Sequence, residues 1–430
     1  MRFRAVDVAS ATGGRLHGPD VEIDGVAFDS RSLKPGQLFV PVIADRDGHE
    51  FIPDALARGA AAYLTDRAPV GGTAIQVADT VRALMTLAAV QRQDFAGTVI
   101  AITGSVGKTS TKDLAWAALA ASRATWASER SFNNEQGLPT AMLNTPADTA
   151  VLVLEMGMRG FGEIADLCRI AQPTVGLVTL VAEAHGDRVG GIDGVARAKS
   201  ELIAALPASG VAILNADDPR TRAMSTISMA PVLLFGEEKD ADVRISDVRV
   251  DDLARASFQL DTPWGAHQVQ LGAVGRHMAH NAAAALACVG AVGGDVAAGA
   301  VALATARLSS MRMEMVQLSS GALLLNDAYN ANPTSMRAAL DTLAQLPVQR
   351  RVAVLGLMAE IPNAVAEHRA VLQHAHDLGI EVLAYETDLY GIAPVADPVA
   401  ALGSLASGVA VLVKASRVVG LESLVARLMR

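Results

Sequence analysis

An α/β fold in three blocks, the central one doubly wound, is what this sequence predicts. Three observations carry that expectation. Thr98 to Thr103 (TVIAIT) is β-branched and apolar throughout, the pattern of a strand buried on both faces of a parallel sheet. Further apolar runs recur behind it with helical stretches between them, as doubly wound sheets require. After Ser309 the alternation repeats on a smaller scale. A chain of 430 residues has room for about two to four domains. The expected divisions fall at 1–96, 97–308 and 309–430.

The first block has short apolar runs such as Gln37 to Ile43 and turn clusters such as Lys34-Pro35-Gly36. A helical stretch from Pro53 to Gly59 leads into a strand, Ala60 to Leu64. A second helix, Thr80 to Gln93, closes the block. In the second block, strands are expected at Ala150 to Leu154, Val175 to Val181, Val211 to Leu214 and Val232 to Phe235. Ala-rich helices end it before Leu308. In the third block, Ala322 to Leu325, Arg351 to Leu355, Ile380 to Ala384 and Val409 to Val413 read as strands. The helix from Thr334 to Leu346 carries Met336, Leu340 and Leu343 on one stripe, which reads as core.

The chain is 51% hydrophobic and 19% charged, a globular balance that excludes disorder. Mean hydropathy is +0.31, yet the most apolar region, Asn281 to Ala306, is built of Ala and Gly and is broken by Asp295. Packed helices are expected there rather than a membrane span. Asp7 stands where a secretion signal would need its apolar core, so a cytoplasmic protein without membrane insertion is expected. Cys168 and Cys288 lack metal-ligand spacing and read as buried, reduced thiols. A net charge of −9 argues against general nucleic-acid binding, and any site for phosphates must be built from individual cations.

Such a site is visible at Thr103-Gly104-Ser105-Val106-Gly107-Lys108-Thr109-Ser110, just after a buried strand and just before a helix. Glycines let the backbone curl so that its N–H groups converge on phosphate oxygens. Lys108 supplies a point charge, the Thr109 hydroxyl suits Mg²⁺, and the helix N-terminus favours the anion. The bland alternative is a tight strand-to-helix turn with an incidental lysine. The usual longer loop would want glycine at position 102, where this chain has Ile102. Glu155, ending a strand, sits where such sheets place ligands and is a hard oxygen donor; otherwise it is a solvated strand-end carboxylate.

The shortened loop with its leading threonine resembles that of the Mur ligase superfamily, which builds the peptide stem of bacterial cell-wall precursors. Ser131-Phe132-Asn133-Asn134-Glu135-Gln136-Gly137-Leu138-Pro139 is similar to that family's substrate-facing loop, and Leu154-Glu155-Met156-Gly157 to its acidic strand end. His185 and, fourteen positions on, Lys199 match its metal-binding histidine and carbamylated lysine. Asn215-Ala216-Asp217-Asp218 and Gly275-Arg276-His277, with Asn281, are further landmarks. The third-block segments Asn326 to Pro333 and Val411 to Arg417 resemble the branch that adds D-alanyl-D-alanine to UDP-N-acetylmuramoyl-tripeptide. Asp29-Ser30-Arg31 and Asp47 to Phe51 are similar to that branch's UDP-binding domain. The resemblance spans essentially the whole chain. Departures at Gly186, Ser200, Met278, Leu357 and Ala415 touch positioning and rate more than reaction type.

The resemblance implies three domains: a small N-terminal UDP-binding domain, a central phosphate-loop ATPase domain and a C-terminal Rossmann-like domain. It implies an ATP- and Mg²⁺-dependent ligase working through an acyl phosphate, a monomer with small-molecule substrates and no nucleic acid. Gly104 to Ser110, Asn281, Arg312 and Asp327 would bind ATP. Thr109, Glu155, His185 and Lys199 would hold metal, and Lys108, Lys199, His185 and Arg312 would act in catalysis. Ser30, Arg31, Asn134, Tyr329, Asn330 and Asn332 would bind substrate. Read from the residues alone, Lys199 is a solvated lysine on an Ala-rich helix, His185 is a structural histidine, and Tyr329 to Asn332 is a Pro-terminated turn. The alternatives are a sibling ligase adding the third stem residue, a folate polyglutamate ligase, a phosphate-loop regulatory NTPase and an inactive scaffold.

Overall fold

The β-branched run forms a strand at Thr98–Thr103 with parallel neighbours on both sides in the computed structural model, which describes residues 2–128, 131–182 and 189–429. From Val99 to Thr103 every residue of that strand is buried. It lies inside a sheet of nine strands among the described residues. On one side stand Val151–Glu155 and then Thr125–Ala127. On the other stand Val175–Val178, Val211–Asn215 and Val232–Gly236, all parallel. The chain leaves Val151–Glu155 and crosses to Val175–Val178 on the opposite side of Thr98–Thr103. Strand order therefore reverses at the carboxyl end of Thr98–Thr103, the position where doubly wound sheets open a crevice for ligands.

The sheet continues past the parallel strands into a meander that the sequence reading did not mark. Val243–Val250, Arg255–Thr262 and Gly265–Val274 extend it, the last two pairings antiparallel. Buried and partly exposed residues alternate along Arg255–Thr262, as they do when one face packs on a core and the other meets water. The central sheet is therefore mixed. The Ala-rich region forms helices Met278–Ala291 and Val296–Ala302. Small side chains let Met278–Ala291 lie close against the helix Lys108–Ala120, and its residues Ala282 to Val289 are fully buried. Among the described residues no helix is long and apolar enough to cross a membrane.

The N-terminal block holds a five-stranded sheet in the order Arg15–His17, Ala74–Gln76, Ala62–Thr65, Leu38–Phe39, Val26–Ala27. Of the apolar run Gln37 to Ile43, only Leu38 and Phe39 pair as a strand. Asn144 of the central block completes the edge of that sheet, accepting from Val26 N–H at 2.8 Å and donating to Val26 O at 2.9 Å.

The third block carries a five-stranded sheet in the order Glu314–Gln317, Leu323–Asn326, Val409–Lys414, Arg350–Leu355, Glu381–Ala384. The first pairing is antiparallel and the others parallel. Met336, Leu340 and Leu343 of the helix Pro333–Gln345 are fully buried, so their stripe is core. Cys168 and Cys288 are buried and unbridged.

Candidate active site

At the carboxyl end of Thr98–Thr103 the backbone turns through Gly104 (φ 145°) and Gly107 (φ 85°). Both glycines are required by space as well as by φ. A Cβ on Gly104 would stand 1.9 Å from Thr179 Oγ1, and one on Gly107 would stand 2.6 Å from Asn281 Oδ1. Thr179 braces the turn, its hydroxyl bonding Val106 O at 2.6 Å. Ser105 is held on both sides, with its N–H donating to Leu180 O at 2.8 Å and its hydroxyl to Ala182 O at 2.8 Å. Gly107 is the N-cap of the helix Lys108–Ala120, so unpaired N–H groups of the first turn point into the crevice. Lys108 Nζ folds back to Gly104 O at 2.7 Å. Burial lowers its pKa, Glu155 opposes that shift and Arg312 reinforces it.

Thr109 is the centre of a polar cluster. Its hydroxyl donates to Glu155 Oε2 at 2.7 Å and accepts from an Arg312 Nη at 3.1 Å. Asn133 Nδ2 donates to Glu155 Oε1 at 2.7 Å, and Ser131 Oγ lies 3.2 Å from both Thr109 Oγ1 and Arg312. Glu155 is 1% exposed, so it is no solvated strand end. Among the described residues no group of three His, Cys, Asp or Glu side chains could cage a metal. The cluster does fit a hard cation that keeps waters and phosphate oxygens as its remaining ligands, since Thr109 and Glu155 offer hard oxygens side by side.

Arg312 comes from the third block, and so do the residues facing it. Its guanidinium lies 3.9 Å from the Tyr329 ring centroid, a cation–π contact. Its Nε is buried with no hydrogen-bond partner among the described residues, an unmet donor of the kind that native structures rarely leave. Asp327 accepts from Lys414 Nζ at 2.5 Å and from Met313 N–H at 3.1 Å. Lys414 Nζ also donates to Asn330 O at 2.8 Å. Asn332 caps the helix Pro333–Gln345 by accepting from Ser335 N–H at 2.9 Å. The turn reading of this segment is therefore correct for Asn332, which nonetheless faces the same crevice.

These groups line one cavity of about 290 Å³. The phosphate loop from Gly104 to Ser110, Asn134, Glu155, Lys199, Asn281, Arg312, Asp327, Tyr329, Asn330 and Asn332 all border it. Lys199 sits on the helix Gly191–Ala204 and is 3% exposed, which overturns its reading as a solvated lysine. Burial, and the nearby Lys108, hold its amine well below the ordinary lysine range. Ser30 and Arg31 lie in the N-terminal block away from this cavity. Arg31 pairs with Asp29 at 2.7 Å and is largely exposed, while Ser30 is buried. His185 lies outside the described residues.

The cavity also holds residues to which the sequence reading gave no individual role. Ser131 and Asn133 belong to the run that contains Asn134. Lys414 ends an apolar parallel strand, a position that by itself marks the ligand side of a sheet. His277 borders the cavity, and burial pushes its pKa down to about 4. Arg159, four residues after Glu155, carried no signal by residue type alone.

Three family models match the chain: "Mur ligase family, catalytic domain" over residues 22–92, "Mur ligase middle domain" over 102–289, and "Mur ligase, glutamate ligase domain" over 311–420. The UDP-N-acetylmuramoyl-tripeptide–D-alanyl-D-alanine ligase of Mycobacterium tuberculosis is 41% identical over 80% of this chain and 73% of its own length. A solved UDP-N-acetylmuramoylalanyl-D-glutamyl-2,6-diaminopimelate–D-alanyl-D-alanyl ligase from Acinetobacter baumannii superposes with a TM-score of 0.83. It is 29% identical, with 100% of this chain and 98% of that one covered. The MurF ligase of Thermotoga maritima in complex with ADP gives a TM-score of 0.80 at 28% identity, covering 94% of this chain and 97% of that one. The chain belongs to the Mur ligase family.

Proposed function

We propose that this protein joins D-alanyl-D-alanine to the terminal carboxyl of UDP-N-acetylmuramoyl-tripeptide, with ATP as the activating substrate, in cytoplasmic synthesis of a peptidoglycan precursor. The observation that carries the reading is that Lys108, Thr109 and Glu155 of the central block share one cavity with Arg312, Asp327 and Tyr329 of the third. A carboxylate does not react with an amine at neutral pH, because its oxygen is a poor leaving group. Attack of that oxygen on the γ-phosphorus of ATP gives an acyl phosphate and ADP. The dipeptide amine then attacks the acyl carbon, and the tetrahedral oxyanion collapses with loss of phosphate. Little covalent chemistry falls to the protein, whose work is alignment and charge neutralisation.

Lys108 and the loop N–H groups bind the β- and γ-phosphates, and Arg312 meets the charge on the transferred group from the opposite wall. Asn281 and Asp327 bind the rest of the nucleotide. Thr109 and Glu155 would hold Mg²⁺, which when bound neutralises phosphate charge. Lys199, as the carbamate of a neutral amine, and His185 would hold a second ion. Asn134 faces the peptide; Tyr329, Asn330 and Asn332 orient the dipeptide or the nucleotide. Residues 1–96, with Ser30 and Arg31, take the UDP end, 97–308 bind ATP, and 309–430 form the ligase domain of a monomer.

Phosphate release from MgATP tests this. Release that needs both the UDP-linked tripeptide and D-alanyl-D-alanine, and fails with single amino acids, upholds it. Release without an amine acceptor would mean a phosphate-loop NTPase, and release with a lone diamino acid on the dipeptide-stem precursor would mean the sibling ligase.

A further inference from the structure

The acyl-donor peptide carries more charge than the reaction removes. In an alanyl-D-glutamyl-2,6-diaminopimelate stem, the glutamyl residue keeps one carboxylate outside the chain. Diaminopimelate keeps another after its reacting carboxyl is activated. A cavity that takes such a peptide must answer at least one carboxylate that plays no part in the chemistry, because an unpaired buried charge is costly.

The described cations bordering the cavity are Lys108, Arg159, Lys199, Arg312 and Lys414. Four are engaged elsewhere. Lys108 belongs to the phosphate loop, Arg312 bonds Thr109 and Ser131, Lys414 is buried on Asp327 and Asn330 O, and Lys199 is 3% exposed and given to the second ion. Arg197, near Lys199 in sequence, lies 4.2 Å over the Phe161 ring and does not border the cavity.

Arg159 differs. Its backbone is fixed, the N–H donating to Glu163 Oε2 at 2.7 Å. Its loop is tied to the substrate-facing loop through Gly157 N–H to Asn133 O at 2.8 Å. Its guanidinium, however, is half exposed and among the described residues reaches one partner, Glu135, through one N–H at 3.3 Å. Such a screened surface pair is weak, which leaves most of a five-donor fork available. Glu135 neighbours Asn134, so the fork stands beside the wall expected to face the peptide.

Resting on the proposed function, we infer that Arg159 is a specificity residue that exchanges Glu135 for a non-reacting carboxylate of the stem peptide. The planar fork binds a carboxylate through two parallel hydrogen bonds, a geometry lysine does not reproduce.

The test measures kcat and KM for the unaltered protein, Arg159→Met and Arg159→Lys with three UDP-linked peptides. These are the diaminopimelate parent, its glutamyl carboxamide, and a lysine form lacking the second diaminopimelate carboxylate. Arg159→Met should raise KM for the parent about tenfold or more, with KM for ATP held within about twofold. Arg159→Lys should fall between. With one of the two neutralised peptides, the difference between the unaltered protein and Arg159→Met should shrink to within about threefold, and that peptide names the carboxylate. An unchanged KM for the parent, or an equal loss on all three peptides, overturns the inference. Turnover of the parent by the unaltered protein keeps these outcomes separate from failure of the proposed function; no turnover overturns both.

Discussion

The Thr109 hydroxyl donates to Glu155 Oε2 at 2.7 Å, joining the first turn of the phosphate-loop helix to the end of the neighbouring strand. Glu155 is held from its other oxygen by Asn133, so the carboxylate is aimed before any ligand arrives. Glu155→Gln keeps the shape and removes the charge. Its kcat should fall by about 10²–10³, the scale set by losing one preorganised electrostatic group, and the Mg²⁺ concentration for half-maximal rate should rise. Circular dichroism should be unchanged. A rate within about threefold of the unaltered protein would remove Glu155 from the metal site.

Lys199 is buried in a way that stability can read. Its folded pKa lies well below the ordinary 10.5, so folding at neutral pH must dispose of a proton or bury a charge. That penalty is full at low pH and fades as pH rises towards the unfolded value. Lys199→Met should therefore melt at higher temperature in CO₂-free buffer at pH 7, with an advantage that shrinks as pH rises and is gone above about pH 10. Activity should fall at least about 100-fold. Bicarbonate should raise the rate of the unaltered protein and leave the variant unmoved.

Arg312 rests 3.9 Å over Tyr329 while reaching Thr109 across the cavity. The ring holds the guanidinium in place, and its hydroxyl is not needed for that. Tyr329→Phe should keep kcat within about threefold, whereas Tyr329→Ala should cost about tenfold or more through lost positioning. Arg312→Lys should be nearly as poor as Arg312→Ala, because a lysine cannot stack and donate to Thr109 together. Steady-state kinetics with saturating ATP separates these outcomes.

His277 is pushed from 6.5 down to about 4, first by burial. Between those values the unfolded chain binds a proton that the folded one refuses, so stability falls as pH drops through that window. Because the ring is partly exposed to the cavity, the loss is expected to be of order 1–2 kcal/mol rather than the full shift. His277→Gln should flatten the slope of urea-unfolding free energy between pH 6.5 and 4. An unchanged slope would place the acid sensitivity elsewhere.

The parallel core was legible because each strand is apolar on both faces. Thr98–Thr103 was located to the residue, and its neighbours to within one to three. The antiparallel extension from Val243 to Val274 was missed because its faces differ. Polar residues such as Arg255, Ser257, Gln259 and Asp261 alternate with buried Ala256, Phe258 and Leu260, a weaker signal inside a polar stretch. In the site, the phosphate loop and Glu155 were visible because local sequence fixes both. The meeting of Arg312 with Thr109, 203 positions apart, is a tertiary fact that only a resemblance could suggest. Lys199 shows the limit most plainly. A lysine among alanines carries no mark of burial, which comes from the packing of its helix.

The acyl phosphate is the centre of this account, and isotope transfer tests it most directly. The UDP-linked tripeptide would be prepared with ¹⁸O in its terminal carboxylate and turned over with MgATP and D-alanyl-D-alanine. One ¹⁸O per released phosphate is expected, because the carboxylate oxygen leaves bonded to phosphorus. Phosphate free of ¹⁸O, its fourth oxygen coming from solvent and the label staying in the peptide, would contradict it and mean that water attacks ATP directly.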